Sequence, residues 1–489
     1  MFELQTINLK RAAVDTLVVP VCEDREIHSD SSVKSLIDAA KATATFNGKK
    51  GEQASLFQPT GTAITRAYFF GLGKAETLNG ESFRALAGKA VKACINAGLT
   101  AMTVATPSAG QVNLDLRTLF QTLMEGAYLG NHIFDRYKQE KETTPLTSVV
   151  LTASAAQKKS CTGLIDSVST VCGASLVTRE WVTMPSNDKR PEAFARMIQE
   201  AAAAADLKVR IRDERWLEKQ QFGAMLAVAQ GSSAKPRLVT VEYAPKTAAK
   251  TVVLVGKGVT FDSGGLNLKP SGSIETMKMD MSGAAAVAGT LLAVARLQPA
   301  VKVVGVMPLV ENMPSGTAIR PGDIIRSFSG KTVEIGNTDA EGRLILIDAI
   351  AWAIRHYQPE TLIDLATLTG ACVVALGEKI AGVFSNDQAL AAAIVASGEK
   401  THERCWQLPL PEDYKELLKN DFADMNNVGP SRWGGAITAA LFLSEFVGGT
   451  RWAHIDIAGP AWAKKASDYC GAGGTGFGVR LLCDWIGKI

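Results

Sequence analysis

Histidine and paired cysteines are scarce in this chain of 489 residues, which has five histidines and eight cysteines without a CxxC pair. Scattered cysteines in a long chain indicate reduced thiols and not a disulfide framework. No stretch comes near the roughly 20 apolar residues that cross a bilayer. The start, MFELQTINLK, lacks the basic and apolar segments of a signal peptide. Together these absences predict a cytoplasmic protein with no membrane partner.

Neither sign of charge dominates the composition, since the formal net charge is +3 and 21% of residues are charged. This balance gives the chain no general attraction to nucleic acid. One short basic segment, with Arg136, Lys138 and Lys141, could still contact DNA. The interleaved Glu140 and Glu142 favour a solvated charged segment instead.

The pattern of apolar runs predicts an α/β fold with two α/β domains. Residues 1–153 alternate strand-like and helix-like segments, which predicts a smaller N-terminal domain with a largely parallel sheet. Residues 154–184 predict a connecting helix that ends at Pro185. Residues 185–489 predict a larger C-terminal domain, in which a mixed central sheet is flanked by helices. Its predicted strands are Leu238–Tyr243, Val252–Val255, Val301–Met307, Thr332–Ile335, Leu362–Ala366 and Ala453–Ile457.

Charged residues and glycines crowd one segment, GKGVTFDSGGLNLKP (256–270), directly after the predicted strand Val252–Val255. Loops that leave the carboxyl ends of buried strands are where α/β sheets build their sites. The charged residues of this segment and its continuation to residue 287 are Lys257, Asp262, Lys269, Glu275, Lys278 and Asp280.

The octapeptide NTDAEGRL (337–344) forms a second cluster after the predicted strand Thr332–Ile335. It places Asp339, Glu341 and Arg343 at every second position. In an extended chain these three side chains point the same way. Two carboxylates at so short a distance repel each other unless a cation lies between them.

All five histidines lie outside both clusters. A single catalytic zinc normally has His or Cys ligands. An oxygen-rich set with one nitrogen suits Mg²⁺, Mn²⁺ or a bridged Zn²⁺ pair. We therefore expect two divalent ions, about 3.5–4 Å apart, between the carboxylates.

Each residue alone also has a structural explanation. Asp262 could cap a turn, Asp339 could be a helix N-cap with Glu341 in the first turn, and Lys257 or Lys269 could be surface lysines. A phosphate cradle is disfavoured, because GKGVTFDSGG lacks the GxxxxGK[ST] spacing. A two-metal phosphoesterase is disfavoured because such sites often mix histidine with aspartate.

Taken together, the motifs resemble those of the cytosol (leucyl) aminopeptidase family of two-metal peptidases. NTDAEGRL matches the family signature, and GKGVTFDSGG, the following LKP, Met277–Asp280 and GAAAV match a second block. TLTGA (367–371) and AHIDIAG (453–459) follow in the same order. The resemblance covers residues 180–489 strongly and the N-terminal region in general layout. It implies that the larger C-terminal domain, residues 185–489, is the catalytic metallopeptidase domain.

The resemblance implies a set of metal ligands, which are Lys257, Asp262, Asp280, Asp339 and Glu341. By the same resemblance, Asp262 and Glu341 bridge both ions. Lys257 would bind metal as a neutral amine, so its pKa would have to lie well below the ~10.4 of free lysine. Nearby dications would lower the pKa in this direction.

The resemblance also implies a catalytic pair. Lys269 would polarise the scissile carbonyl and stabilise the oxyanion. Arg343 would hold a bicarbonate ion as general base toward a metal-bridging water, because its planar fork suits a planar anion.

The implied activity is that of a leucyl aminopeptidase, a hydrolase that releases N-terminal, preferably leucine-like, residues from peptides. One metal would bind the free α-amine of the substrate, and Mn²⁺, Zn²⁺ or Mg²⁺ would be that metal. The candidate substrate-binding residues are Met277, Thr367, Leu368 and Gly370. The resemblance further implies a homohexamer, and some bacterial relatives double as DNA-binding regulators.

Overall fold

The computed structural model describes residues 1–43, 45–246 and 248–489. Two units divide the chain, one formed by Met1–Cys172 with Lys465–Gly471, the other by Gly173–Lys464 with Ala472–Ile489. Both contain strands and helices, so the predicted α/β fold class is confirmed. The domain boundaries expected at 153/154 and 184/185 stay a prediction. The observed division falls within one helix, Leu164–Thr183.

The first unit is built on a six-stranded sheet with the order β1-β6-β5-β2-β4-β3. Its pairs are parallel, as predicted, except for the antiparallel pair of β3 with β4. The strands are β1 Phe2–Gln5, β2 Val14–Cys22, β3 Gln53–Phe57, β4 Ile64–Gly73, β5 Ala101–Val104 and β6 Ser148–Thr152. The helices are α1 Ser31–Thr43, α2 Gly80–Asn96, α3 Leu116–Gly130 and α4 Ala155–Ser160. The next helix, α5 Leu164–Thr183, contains the division between the two units.

The second unit contains the remaining elements. Its helices are α6 Pro191–Ala203, α7 Glu214–Lys219, α8 Gly223–Ala229, α9 Ser282–Leu297, α10 Glu341–Tyr357, α11 Gly370–Leu376, α12 Gln388–Thr401, α13 Gly435–Ser444 and α14 Val479–Ile486. Its strands are β7 Lys208–Arg212, β8 Arg237–Tyr243, β9 Thr251–Gly256, β10 Gly258–Asp262, β11 Lys302–Asn312, β12 Ile324–Arg326, β13 Thr332–Glu334, β14 Thr361–Ala366, β15 Ala381–Ser385, β16 Cys405–Gln407, β17 Met425–Asn426, β18 Arg451–Asp456, β19 Trp462–Ala463 and β20 Gly473–Gly474.

The large sheet of the second unit is mixed, as predicted. Its order is β16-β15-β18-β14-β9-β11-β8-β7, and β10 also pairs with β11. The four central strands, β18, β14, β9 and β11, are parallel to one another, whereas β15 and β8 run antiparallel to their central neighbours. The carboxyl ends of the four central strands therefore lie at one edge of the sheet, where a site is expected.

The core of this unit lies between the sheet and its helices. Val253 and Val255 of β9 point to one face and join a buried cluster with Ile345 and Ile350 of α10. Helices α9 and α10 both pack on β9 and β11. Burial of this extent fixes the first turn of α10 relative to the strand ends.

One segment, Ile274–Leu297, is long and apolar enough to cross a membrane by length and composition, and 78% of its most apolar window is buried inside the protein. We expected no stretch near the length of a membrane span, and by length and composition this segment corrects that expectation. The core helix of a globular protein gives the same result, and α9 packs on five strands of the large sheet, β8, β9, β10, β11 and β14.

The octapeptide NTDAEGRL does not have the extended conformation predicted for it. β13 ends at Glu334 and pairs with β12 and β17 in a separate small sheet, a turn follows, and α10 begins at Glu341. Alternation along a strand is therefore the wrong explanation for the proximity of Asp339 and Glu341. A turn that leads into a buried helix places them instead.

Candidate metal centre and active site

The candidate site lies at the carboxyl edge of the central strands. Lys257 follows β9 directly, and its backbone N–H donates to Leu365 O at 3.0 Å. Thr367 follows β14 in the same way. Gly256 has no room for a side chain, because an added Cβ would lie 2.5 Å from the carbonyl oxygen of Gly283. This close packing of β9 against α9 brings both segments of the first sequence cluster to one place.

Three buried carboxylates from different elements meet at this edge. Asp262 ends β10, Asp280 follows the 3₁₀ helix Ile274–Met279, and Glu341 is the first residue of α10. One oxygen of each lies within 4.8 Å of the others. We call these three residues the carboxylate cluster.

Two lysines reach into the carboxylate cluster. Lys257 Nζ lies 2.8 Å from Asp280 Oδ1 and 2.8 Å from Glu341 Oε1. It also donates to the backbone oxygen of Thr367 at 2.9 Å. The Lys257 amine is thus at the centre of the set of groups predicted to bind metal.

The second lysine bridges the cluster to its rim. Lys269 Nζ lies 2.9 Å from Asp262 Oδ2 and 2.6 Å from Asp339 Oδ1. The Asp339 side chain is 33% exposed, and it is not one of the three carboxylates that lie within 4.8 Å of each other. The structure therefore places four of the five predicted ligands together and puts Asp339 beside them, across Lys269.

The electrostatics of the site follow from burying several anions together. Burial raises the pKa of Asp280 well above its usual value, and burial with the neighbouring Glu341 raises the pKa of Asp262. Burial acts to lower the pKa of Lys257, but Asp280 and Glu341 outweigh it and raise that pKa above its ordinary value. The pKa of Lys269 is also raised, since Asp262 and Glu341 outweigh its burial. The low pKa expected for Lys257 stays a prediction for a site that holds dications.

Unpartnered oxygens indicate that these residues suit a cation. Among the residues that the structure describes, Asp280 Oδ2 and Glu341 Oε2 are buried without a hydrogen-bond partner. A buried acceptor without a partner is costly, and more so when it is charged. Carboxylate oxygens with one amine match the donor preferences of divalent ions such as Mg²⁺ and Mn²⁺. The donor set therefore fits a metal centre.

Hydrogen bonds from neighbouring side chains fix the carboxylates, and sequence reasoning missed most of them. Asn312 Nδ2 donates to Asp262 Oδ1 at 2.8 Å, and the Gly264 N–H donates to the same oxygen at 2.9 Å. Thr367 Oγ1 donates to Asp280 Oδ1 at 2.7 Å. Asp262 therefore caps a turn and also faces the cluster. Asn312 ends the long apolar strand β11, and this position is the only signal in the sequence that indicates it.

The two sequence motifs are joined by a reciprocal pair of polar residues. Thr338 Oγ1 accepts from the Asn267 N–H at 2.9 Å, and Asn267 Oδ1 accepts from the Thr338 N–H at 2.8 Å. The alternative of Asp339 as an N-cap is wrong, because the N-cap of α10 is Ala340 and it makes no side-chain cap. Glu341 does lie in the first turn of α10, as that alternative required.

Arg343 is buried in the same first turn. Its Nη1 donates to Asn427 O at 2.6 Å, and its Nε has no hydrogen-bond partner among the described residues. Burial lowers the pKa of Arg343 to about 10 against the opposing effects of Glu341 and Asp456, so the guanidinium is charged at neutral pH. A buried cation with an unused donor can hold an anion.

The predicted substrate-binding residues have different environments. Met277 lies half-buried in the 3₁₀ helix that precedes Asp280, and Gly370 is exposed at the start of α11. Thr367 contacts Asp280 and Lys257, while Leu368 packs against the main core cluster.

Asp456, which sequence reasoning did not single out within AHIDIAG, orients the turn that contains Thr367 and Leu368. Its Oδ1 accepts from the Leu368 N–H at 3.1 Å, and its Oδ2 accepts from Thr369 Oγ1 at 2.7 Å.

The basic segment considered for DNA lies in the first unit. Lys141 Nζ is 3.7 Å from Asp135 Oδ1, and the Arg136 guanidinium lies over the Tyr137 ring. These contacts favour the solvated charged segment. DNA binding stays a prediction.

Comparison with known proteins identifies the family. Residues 176–483 match the cytosol aminopeptidase family catalytic domain, and residues 18–141 match the N-terminal domain of the same family. A probable cytosol aminopeptidase of Geobacter sp. (strain M21) is 41% identical over 491 residues, covering 99% of this chain and 99% of the relative. The chain belongs to the cytosol aminopeptidase family. Its members are metal-dependent aminopeptidases, so the chain is a peptide hydrolase of that class.

Other relatives of this cytosol aminopeptidase family member agree. A probable cytosol aminopeptidase of Cenarchaeum symbiosum (strain A) is 40% identical, with 92% of each chain covered. Among solved structures, the bottromycin maturation enzyme BotP in complex with Mn superposes with a TM-score of 0.86 at 34% identity, covering 97% of this chain and 99% of BotP. The fold of both units is therefore that of the aminopeptidase family.

Proposed function

We propose that this protein is a leucyl aminopeptidase that uses two divalent metal ions to release N-terminal, preferably leucine-like, residues from peptides. The observation that carries the proposal is the carboxylate cluster, with Lys257 Nζ 2.8 Å from two of its members. Lys257 and the cluster would hold the metals together with Asp339. Mn²⁺ is the first candidate because the similar BotP structure is a complex with Mn. Zn²⁺ and Mg²⁺ are the alternatives.

Two divalent ions, when bound, would neutralise the carboxylates and act as Lewis acids that activate water. Lys269 now contacts Asp262 and Asp339. If these two carboxylates held metal instead, Lys269 would be free to act on the substrate. Its ammonium would donate to the scissile carbonyl and stabilise the oxyanion as the charge develops. The neighbouring carboxylates raise the pKa of Lys269 only as long as they bind no metal, but a lysine with an ordinary pKa of about 10.4 is also protonated at neutral pH.

Arg343 would supply an anion site at the same centre. Its buried guanidinium has an unpartnered Nε, which supports the binding of a planar anion such as bicarbonate. Arg343 would orient that bicarbonate as general base. The hydrogen bond from Nη1 to Asn427 O would keep the fork in place.

The substrate class follows from the charge and polarity of the site. The free α-amine of a peptide would bind to a metal ion that the carboxylate cluster holds. Met277 and the turn Thr367–Gly370 would form apolar walls for the first side chain, and Leu368 is anchored by the core. A homohexamer in the cytoplasm is the assembly and location that we expect from the resemblance.

The experiment compares leucine p-nitroanilide with its N-acetylated form, using protein dialysed against chelator and then supplied with Mn²⁺, Zn²⁺ or Mg²⁺. We expect hydrolysis of the free form alone, because acetylation removes the amine that the metal binds. Comparable turnover of both forms would remove the requirement for a free amine and favour an endopeptidase.

A further inference from the structure

Two adjacent cavities lie near the carboxyl-terminal end of α10, in the second unit. Their volumes are about 510 and 310 Å³. They share Gln220, Trp352 and His356, so they form one continuous groove. Arg210, Arg212 and Trp216 line the first cavity, and Lys219 and Arg355 line the second. We call these eight residues the α10 groove. Cavities of about 300–1,000 Å³ are the usual size of small-molecule sites.

The α10 groove is separate from the carboxylate cluster. α10 has 17 residues, with Glu341 as its first and His356 as the last but one. A rise of 1.5 Å per residue puts about 22 Å between them along the axis. A ligand of the groove would therefore not touch the proposed catalytic residues.

Aromatic rings form a rigid wall in the groove. The His356 ring stacks on Trp352 with a centroid distance of 4.9 Å and an interplanar angle of 12°. Trp216 packs edge-on against Trp352 at 5.9 Å, and the Arg212 guanidinium lies 4.8 Å from the centroids of both tryptophans. Trp352 is buried and Trp216 is half-buried, but His356 is exposed. The Tyr357 ring also packs against His356, with a centroid distance of 4.7 Å and an angle of 88°, and the exposed part of the His356 ring is the surface on which a planar ligand would stack.

The four cations of the groove form no ion pair with a carboxylate among the described residues, and Glu242 acts on Arg212 and His356 only from a longer distance. In the described part of the chain, no carboxylate oxygen lies within 4.0 Å of a side-chain nitrogen of Arg210, Arg212, Lys219 or Arg355. Arg237, by contrast, pairs with Glu214 at 2.7 Å. Burial and Arg212 lower the pKa of His356, which keeps its ring neutral at neutral pH. The groove therefore combines excess positive charge with a neutral stacking surface.

We propose that the α10 groove binds a planar aromatic anion of the nucleoside monophosphate class. The base would stack on the exposed face of His356. The phosphate would receive a bidentate hydrogen bond from the exposed Arg210 guanidinium, whose fork geometry matches phosphate oxygens. The Arg212 guanidinium already donates to Thr240 Oγ1 at 3.0 Å, so it would contribute mainly its positive charge. Aromatic rings alone would bind apolar ligands, and cations alone would bind any anion. The combination therefore favours a ligand that has both a planar ring and a negative charge.

Isothermal titration calorimetry with AMP tests this site in the full-length protein. We expect saturable binding with a Kd below about 1 mM. Adenosine, ribose 5-phosphate and inorganic phosphate should each bind at least about tenfold more weakly, because each lacks one of the two recognised parts. Phosphate that binds as tightly as AMP would overturn ring recognition.

Two groove variants and a charge-matched control locate the binding. Arg210→Gln removes an exposed cation, and His356→Ala removes the stacking face; each should weaken AMP at least about tenfold. Arg296→Gln removes an exposed cation in the last turn of α9, outside the groove, and should leave the Kd unchanged. Thermal melting checks that each variant is folded. AMP binding that is absent from the wild type, or equal in wild type and both groove variants, would refute the proposal.

Discussion

Gly342→Ala is the substitution that tests most finely how the first turn of α10 meets Lys257. A Cβ built on Gly342 would lie 2.4 Å from Lys257 Cε and 2.7 Å from its Nζ. Carbon atoms in contact normally stay about 3.5–4.0 Å apart, so the lysine tip must move by about 1 Å. The tip has little freedom, because it is buried and held by Asp280, Glu341 and Thr367.

A misplacement of that size in a catalytic site can cost about 10²-fold in rate. We therefore expect kcat/KM of Gly342→Ala for leucine p-nitroanilide to fall by about 10²-fold. The change in the free energy of unfolding should be smaller, because two effects oppose each other. Overpacking costs about 1–3 kcal/mol, but alanine is favoured over glycine in a helix by up to about 1 kcal/mol.

Gly316→Ala is the matched control, because a Cβ there meets nothing within 4 Å. Its kcat/KM should equal that of the wild type. Wild-type activity in Gly342→Ala would show that Lys257 can move without consequence, and would refute its proposed place at the centre of the metal site.

Three further predictions concern single side chains. Lys257→Ala should lower the metal content of the protein, whereas Lys269→Ala should keep both ions and lose about 10²–10³ in kcat. Elemental analysis and kcat measured on both variants test this. The reverse pattern would mean that the two lysines have exchanged roles. Thr367→Val removes the 2.7 Å hydrogen bond to Asp280 and should weaken Mn²⁺ binding by about 10–100-fold; unchanged affinity in a metal titration would contradict this. Burial raises the pKa of Asp348 to about 7, so the folded state keeps a proton that the unfolded state loses above pH 4. As the pH rises from about 4 to 7, the unfolding free energy of the wild type should fall relative to that of Asp348→Asn, by at most about 4 kcal/mol. The same dependence of stability on pH in both proteins would contradict this prediction.

The sequence was most informative where strands are long, buried and apolar. β9, β11 and β14 were predicted within a few residues, except that β11 continues to Asn312. The short strands β1, β3, β7, β10 and β16 were not predicted, since polar or mixed segments of this length pair only because a neighbouring strand is already in place. Such partners are set by tertiary structure.

The candidate site shows the same limit. Clustering along the chain drew attention to Lys257, Asp262 and Glu341 among other charged residues, and the family resemblance then implied that they are metal ligands. Motif spacing gave the wrong reason for the octapeptide, since the turn before α10 depends on the Asn267–Thr338 pair, which is 71 residues apart. The support from Asn312 and Asp456 was missed for that reason too. Neither residue is close in sequence to the groups that it orients.

The central claim is that the carboxylate cluster and Lys257 hold the divalent ions on which hydrolysis depends. The direct measurement is metal content per chain beside leucine p-nitroanilide turnover, before chelation, after chelation and after Mn²⁺ is restored. We predict two ions per chain in active protein, loss of both metal and activity on chelation, and recovery of both with Mn²⁺. Full activity in protein with less than one ion per chain would contradict the claim.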